Sequence, residues 1–169
     1  MIVAVDTTVL MHLIDPSAEA APDSDGNVPR RCQERIAYLL ECMIKSGDRM
    51  IVPTPSLSEI LTGAGDAGPE WVAVMQRHRA IRIAPFDERA AIECAELARH
   101  RAQRSKQSTR NKAKFDEQII AIAVAERAEI ILSDDRDIKR LAPEGITVKG
   151  ISDLDLPPED PQRDMFQPA

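Results

Sequence analysis

Carboxylates close, follow or open the apolar runs of this chain in four places. Asp6 ends "MIVAVD", Glu59 lies a turn beyond "RMIVPTP", Asp116 opens "DEQIIAIAVA", and Asp134 and Asp135 follow "EIIL". Taken singly, each has an ordinary explanation. Asp6 suits a turn, Glu59 a solvated helix position, Asp116 an N-cap favoured by the helix dipole, and Asp135 the cap of a following helix. Gathered at one spot they would do chemistry. Clustered carboxylates repel unless a cation compensates. A pocket of oxygen ligands alone selects Mg²⁺ or Mn²⁺ by hardness, and the lack of His or Cys at these positions argues against zinc. A divalent ion in such a place acidifies water and polarises phosphate, so the expected reaction is phosphodiester hydrolysis.

The secondary elements decide whether these acids can meet. Residues 1–5 form an unbroken, β-branched apolar run, the pattern of a strand buried on both faces. Residues 15–30 hold three prolines and no apolar period and predict a surface loop. Cys32, Ile36, Leu39, Leu40, Met43 and Ile44 follow helical spacing, and Gly47 ends that helix. Residues 50–52 predict a strand, with Thr54 as N-cap and Pro55 on the first helical position. A helix over 69–79 and a strand over 81–84 follow. Asp87 caps a helix over 88–104, with Ala91, Ile92, Ala95, Leu97 and Ala98 inward. A helix over 115–127, the strand "EIILS", a short helix and a last strand near 146–148 complete the pattern. Strands alternating with helices predict a three-layer α/β/α fold with a mostly parallel central sheet. Ligands of such sheets gather beyond the strand C-terminal ends. A helix returning between parallel strands brings its own N-terminus to that edge, so Asp116 can join the other acids there.

Composition narrows the function classes. The chain has 169 residues, 43% hydrophobic and 30% charged, enough for one domain with a real core. Aromatic residues make up 3%, which argues against a base-stacking platform. The net charge of −6 disfavours a non-specific nucleic-acid coat. Yet residues 99–114, "RHRAQRSKQSTRNKAK", carry seven Lys or Arg and no acid, and lead directly to Asp116. Arg104, Lys106, Arg110, Lys112 and Lys114 are therefore candidates to grip a nucleic-acid backbone. Cys32, Cys42 and Cys94 form no C-x-x-C pair, as expected of idle thiols in a reducing compartment. No basic leader and no apolar run of membrane length is present, so the expected location is cytoplasmic. Residues 151–169 are Pro-rich and acidic and predict a flexible tail after a domain over 1–150.

The order "VDTTVL", "PTPSLSEIL", "IRIAPFDERAAIECAELA" and "FDEQIIAIAVAERAEIILSDDRDIKRL" resembles the PIN domain, and within it the small VapC-like toxin ribonucleases. The resemblance covers about residues 1–150. It implies a Mg²⁺- or Mn²⁺-dependent endoribonuclease whose acids are Asp6, Glu59, Asp116 and Asp135, both catalytic and metal-binding. It also implies that Thr7 and Ser133 support those acids, with Asp137 an outer candidate and Asp134 pointing away. It further implies an RNA substrate, a cognate antitoxin and a homodimer. Three features depart from the pattern: Thr8 where Asn is common, a long 15–30 loop, and the added tail.

Two rival readings remain for comparison. A phosphatase working through an aspartyl phosphate also begins on an Asp after its first strand. It needs a second Asp two residues on, where this chain has Thr8. A PIN-like fold could instead serve as a metal-binding or interaction module without catalysis, although a pure scaffold gains nothing from clustered repulsion.

Overall fold

The computed structural model describes residues 1–15, 17–20, 22, 26, 28–104 and 110–158, with side chains described throughout except at 100–104 and 110–113. Among the described residues five strands form one sheet: β1 (Ile2–Val5), β2 (Arg49–Pro53), β3 (Ile81–Ala84), β4 (Ile130–Leu132) and β5 (Thr147–Lys149). Their order is β3-β2-β1-β4-β5 and every pairing is parallel. In register, Val3 lies opposite Met50 on one side and Ile130 on the other. The first strand is thus the centre of the sheet, and Asp6 leaves it at the middle of the C-terminal edge.

Among the described residues seven α-helices accompany the sheet: α1 (Thr7–Ile14), α2 (Cys32–Ser46), α3 (Thr54–Ala64), α4 (Gly68–Arg77), α5 (Glu88–Arg104), α6 (Arg110–Ala125) and α7 (Arg136–Leu141). The period of two along β1 sends Val3 and Val5 to one face and Ala4 to the other. Val3, Val5, Met50 and Val52 join Leu10, Ile36, Leu40, Met43 and Met75 in one core. Ala4, Ile51 and Ile131 meet Ala90, Ile119, Ile122 and Ile138 in the second. The isoleucines of α6 are fully buried, each worth about 1.5–3 kcal/mol of apolar burial. The central sheet of the predicted three-layer fold is present and entirely parallel.

The structure departs locally from the sequence expectations. Helix α3 already includes Thr54, with Pro53 at the cap position, and the Thr54 hydroxyl accepts the Phe86 N–H at 3.1 Å. That hydroxyl joins the start of α3 to the turn after β3 instead of capping its own helix. Helix α5 buries Ala90, while Ala91, Ala95 and Ile92, the last 58% exposed, face outward. Its packing surface against α6 is set by Ala90 and Leu97, which leaves Ile92, two residues from Ala90, about 200° around the helix. Helix α6 begins at Arg110, so Asp116 sits in its second turn and is not an N-cap. Beyond residue 150, Ile151–Asp153 form a 3₁₀ turn, and Ile151 and Leu154 belong to the first core. Residues 159–169, the rest of the expected tail, lie outside the described residues.

Asp87 does cap α5, accepting the Ala90 N–H at 2.9 Å. That bond, assisted by Arg89, holds its carboxyl below the ordinary aspartate value. A depressed folded-state pKa contributes stability above the unfolded value and loses it as pH falls through the folded one. Asp87→Ala is therefore expected to lower Tm at pH 7. The gap to the parent should close on acidification, which a pH series of melting curves would show.

Candidate active site

Asp6 directly follows β1, its N–H bonded to the Leu132 carbonyl at 2.9 Å, and it is the N-cap residue of α1. Its side chain is 5% exposed. Two hydroxyls address the same oxygen: Ser133 donates to Oδ2 at 2.8 Å and Thr8 at 3.1 Å. Burial pushes the Asp6 carboxyl above its ordinary pKa. The Ser133 hydroxyl, the Thr7 N–H and the Thr8 hydroxyl oppose that rise, and the charge of Asp135 adds to it. Asp6 and Asp135 are thus close enough to feel each other.

Both hydroxyls work in two directions. Ser133 Oγ accepts the Asp135 N–H at 3.0 Å, and Thr8 Oγ1 accepts the Asp134 N–H at 3.2 Å. They lock the turn after β4 onto the end of β1, 126 and 127 residues away in sequence. Asp135 also caps α7, accepting the Asp137 N–H at 2.7 Å, and Asp137 pairs with Arg140 at 2.9 Å. The neighbouring Asp134 turns elsewhere. Its Oδ1 accepts the Ile151 N–H at 3.0 Å and lies where a Cβ on residue 150 would stand 2.5 Å away, so only glycine fits at Gly150.

Glu59 is exposed on α3 and reaches the group through Thr7, whose hydroxyl donates to Oε2 at 2.5 Å. Asp116 is 6% exposed on α6. Its level follows from topology, because α6 runs back antiparallel to the strand that succeeds it. Four residues past the end of α6, the Glu129 N–H donates to the Ile2 carbonyl at 2.9 Å, at the N-terminal end of β1. From Ala125 back to Asp116 is about 14 Å of helix. A four-residue strand spans about 13 Å, so Asp116 stands level with the strand C-terminal ends. The structure therefore gathers Asp6 and Asp135, ties Glu59 to them through Thr7, and sets Asp116 at the same edge. Among the described residues no group of three or more His, Cys, Asp or Glu side chains is close enough together to hold a metal ion.

Of the basic candidates, Lys114 is exposed on α6. Arg110 and Lys112 lie on α6 and Arg104 ends α5, with side chains outside the described residues, and Lys106 lies outside them altogether. In sequence the run leads directly to Asp116. Among the described residues no helix is long and apolar enough to cross a membrane.

Sequence reasoning missed four polar residues here. Thr8, noted as a departure, proves to be a bridge. Glu117 is buried beside Asp116, Ser56 is buried in the first turn of α3, and His12 is buried on α1.

The sequence matches the family described as PIN domain over residues 3–143. No curated protein matches it. Its fold is similar to VapBC2 from Rickettsia felis bound to a DNA fragment from their promoter, with TM-score 0.64 and 15% identity over 89% of this chain and 98% of that one. DNA-bound VapBC from Salmonella typhimurium gives 0.61 and 17%, again over 89% and 98%. Mycobacterium tuberculosis VapC20, a Sarcin-Ricin loop cleaving toxin, gives 0.55 and 13% over 86% and 98%.

Proposed function

The chain belongs to the PIN domain family, and from that premise we propose that it is a divalent-metal-dependent endoribonuclease, the toxin of a toxin–antitoxin pair. The observation that carries the reading is the hydroxyl-braced pair Asp6–Asp135 at the centre of the strand edge. A buried carboxylate raised by burial and by a second acid is poorly placed in the fold unless a cation joins it. The donor set fits Mg²⁺ or Mn²⁺ in kind, being carboxylates supported by hydroxyls. Asp6, Asp135 and Asp116 would hold the ion, with Glu59 ligating directly or through water. When bound, it would supply an acidified water and a polarised phosphate for in-line attack.

The chain's own residues do the rest. Ser133 and Thr8 orient Asp6, Thr7 orients Glu59, and the α7 cap holds Asp135. The basic run at 99–114, Arg104, Lys106, Arg110, Lys112 and Lys114 within it, would draw the RNA backbone toward Asp116. VapBC assemblies from Rickettsia felis and Salmonella typhimurium share the fold, which supports a cognate antitoxin as partner. A homodimer and a cytoplasmic setting complete the proposal.

The test is incubation of the purified protein with total RNA in Mn²⁺ or in EDTA. Discrete fragments that require Mn²⁺ are expected. Absence of cleavage together with no Mn²⁺-induced rise in Tm would defeat the proposal, since an ion bound to the folded state alone must stabilise it. Ser133→Ala offers a graded check. Losing the group that orients both acids is expected to reduce cleavage about 10–100-fold with the fold intact.

A further inference from the structure

The chain leaves β4 through Ser133, Asp134 and Asp135, and each backbone N–H of that turn is engaged. Ser133 donates to the Lys149 carbonyl at 2.9 Å, Asp134 to the Thr8 hydroxyl at 3.2 Å and Asp135 to the Ser133 hydroxyl at 3.0 Å. These bonds tie the turn to β5, to α1 and to itself. On its other side Asp134 Oδ1 accepts the Ile151 N–H at 3.0 Å, from the 3₁₀ turn that follows β5. That donor is firmly set. Ile151 is fully buried in the first core. The Gly150 N–H closes the 3₁₀ turn onto Asp153 Oδ2 at 2.8 Å, and Arg35 of α2 donates to the Ser152 and Leu154 carbonyls. The φ of Gly150 is −79°, which any residue adopts. What demands glycine there is the Asp134 carboxylate itself, whose Oδ1 lies 2.5 Å from where a Cβ would stand. The fold thus keeps a cradle for one oxygen of an acid that does not join the cluster.

The cradle acts on the next residue. Asp135 caps α7 through its Oδ1, which fixes its carboxylate to that helix. Where it stands relative to Asp6 is set by the turn before it. A bond from a charged acceptor to a backbone amide is among the stronger ones available to such a turn, and here the amide belongs to the core. Resting on the nuclease reading, we propose that Asp134 is a positioning residue: its carboxylate clamps the β4–α7 turn to the buried 3₁₀ turn and so holds Asp135 in place beside Asp6 for the cation they would share. The acceptor oxygen carries this role. The segment after β5 thereby becomes part of the frame of the site, although it supplies no acid to it. Groups that orient metal-binding side chains typically govern metal affinity by 10–100-fold.

The test titrates the full chain with Mn²⁺ alone, by calorimetry well below Tm, beside melting curves in EDTA. Gly150→Ala is the first variant, because it keeps every charge and its backbone angle while its Cβ takes the place of Oδ1. It is expected to weaken Mn²⁺ binding about tenfold. Asp134→Ala and Asp134→Asn form a second pair of equal charge. Asn retains an acceptor for the Ile151 N–H, so it should bind Mn²⁺ more tightly than Ala does. In the Asp134→Ala background, Gly150→Ala should cost no further affinity, since the two act through one contact. A merely structural bond would lower Tm in EDTA and leave the Mn²⁺ affinity of the folded protein unchanged. Parental affinity in Gly150→Ala, equal affinity in Asp134→Asn and Asp134→Ala, or the same loss from Gly150→Ala in both backgrounds would overturn the role. A parent that binds Mn²⁺ alongside an equally tight Gly150→Ala removes the role of Asp134 alone. A parent that neither binds Mn²⁺ nor cleaves RNA removes the nuclease reading and this role with it.

Discussion

Asp6→Asn is expected to reduce Mn²⁺-dependent RNA cleavage by about 10²–10³-fold or more, the scale at which a preorganised electrostatic group in a reaction centre is lost. The same variant should melt in EDTA no lower than the parent. The carboxylate is buried and faces the charge of Asp135, so its neutral isostere relieves desolvation and repulsion together. Asn keeps an oxygen to accept the Ser133 and Thr8 hydroxyls. The Tm rise that Mn²⁺ gives the parent should disappear in the variant. A variant that still cleaves at a tenth of the parental rate, or that keeps its full Mn²⁺ stabilisation, would take Asp6 out of the site.

Cutting the chain after Gly150 is the largest stability change expected. Ile151 is fully buried and Leu154 nearly so, both packed into the core on the α2 face. Arg35 of α2 donates to the Ser152 carbonyl at 3.4 Å and to the Leu154 carbonyl, which holds the segment across the sheet. The Ile151 N–H in turn anchors Asp134. Truncating a buried Ile or Leu side chain to Ala costs about 2–5 kcal/mol, and a whole domain of this kind is stable by about 5–15 kcal/mol. Loss of both residues should lower Tm by about 10 °C or more, since each kcal/mol shifts a chain of this size by about 2–4 °C. Ending the chain after Pro158 spares every one of these contacts and should leave Tm within a few degrees. Similar melting of the two truncations would show that the segment after β5 is not part of the core.

Much of the site was legible because its acids abut strands. A β-branched run that stops at Asp6 or at Asp134–Asp135 states both the strand and the edge where it ends. Parallel order then followed from alternation with helices, and with it the place of Asp116. Where the chain is rich in alanine, the reading lost its phase. Helix α5 offers small residues on several sides, so local pattern could not tell that Ala90 packs and Ile92 does not. Helix α6 opens on basic residues without an N-cap signal, so the sequence pattern places its start at residue 115 instead of Arg110.

By itself the sequence determined the strands, the layer architecture and the identity of the acids at the strand ends, because those follow from period and apolar content within a dozen residues. Only the tertiary structure decided which groups brace them. Ser133 and Thr8 join segments some 126 residues apart, Thr7 reaches Glu59 across 52, and Arg35 holds a carbonyl 119 residues away. Such bonds have no local signature, since a Thr or Arg looks the same whether it faces solvent or a distant partner. Their partners are chosen when the strands come into register and bring the two ends of the chain to one edge.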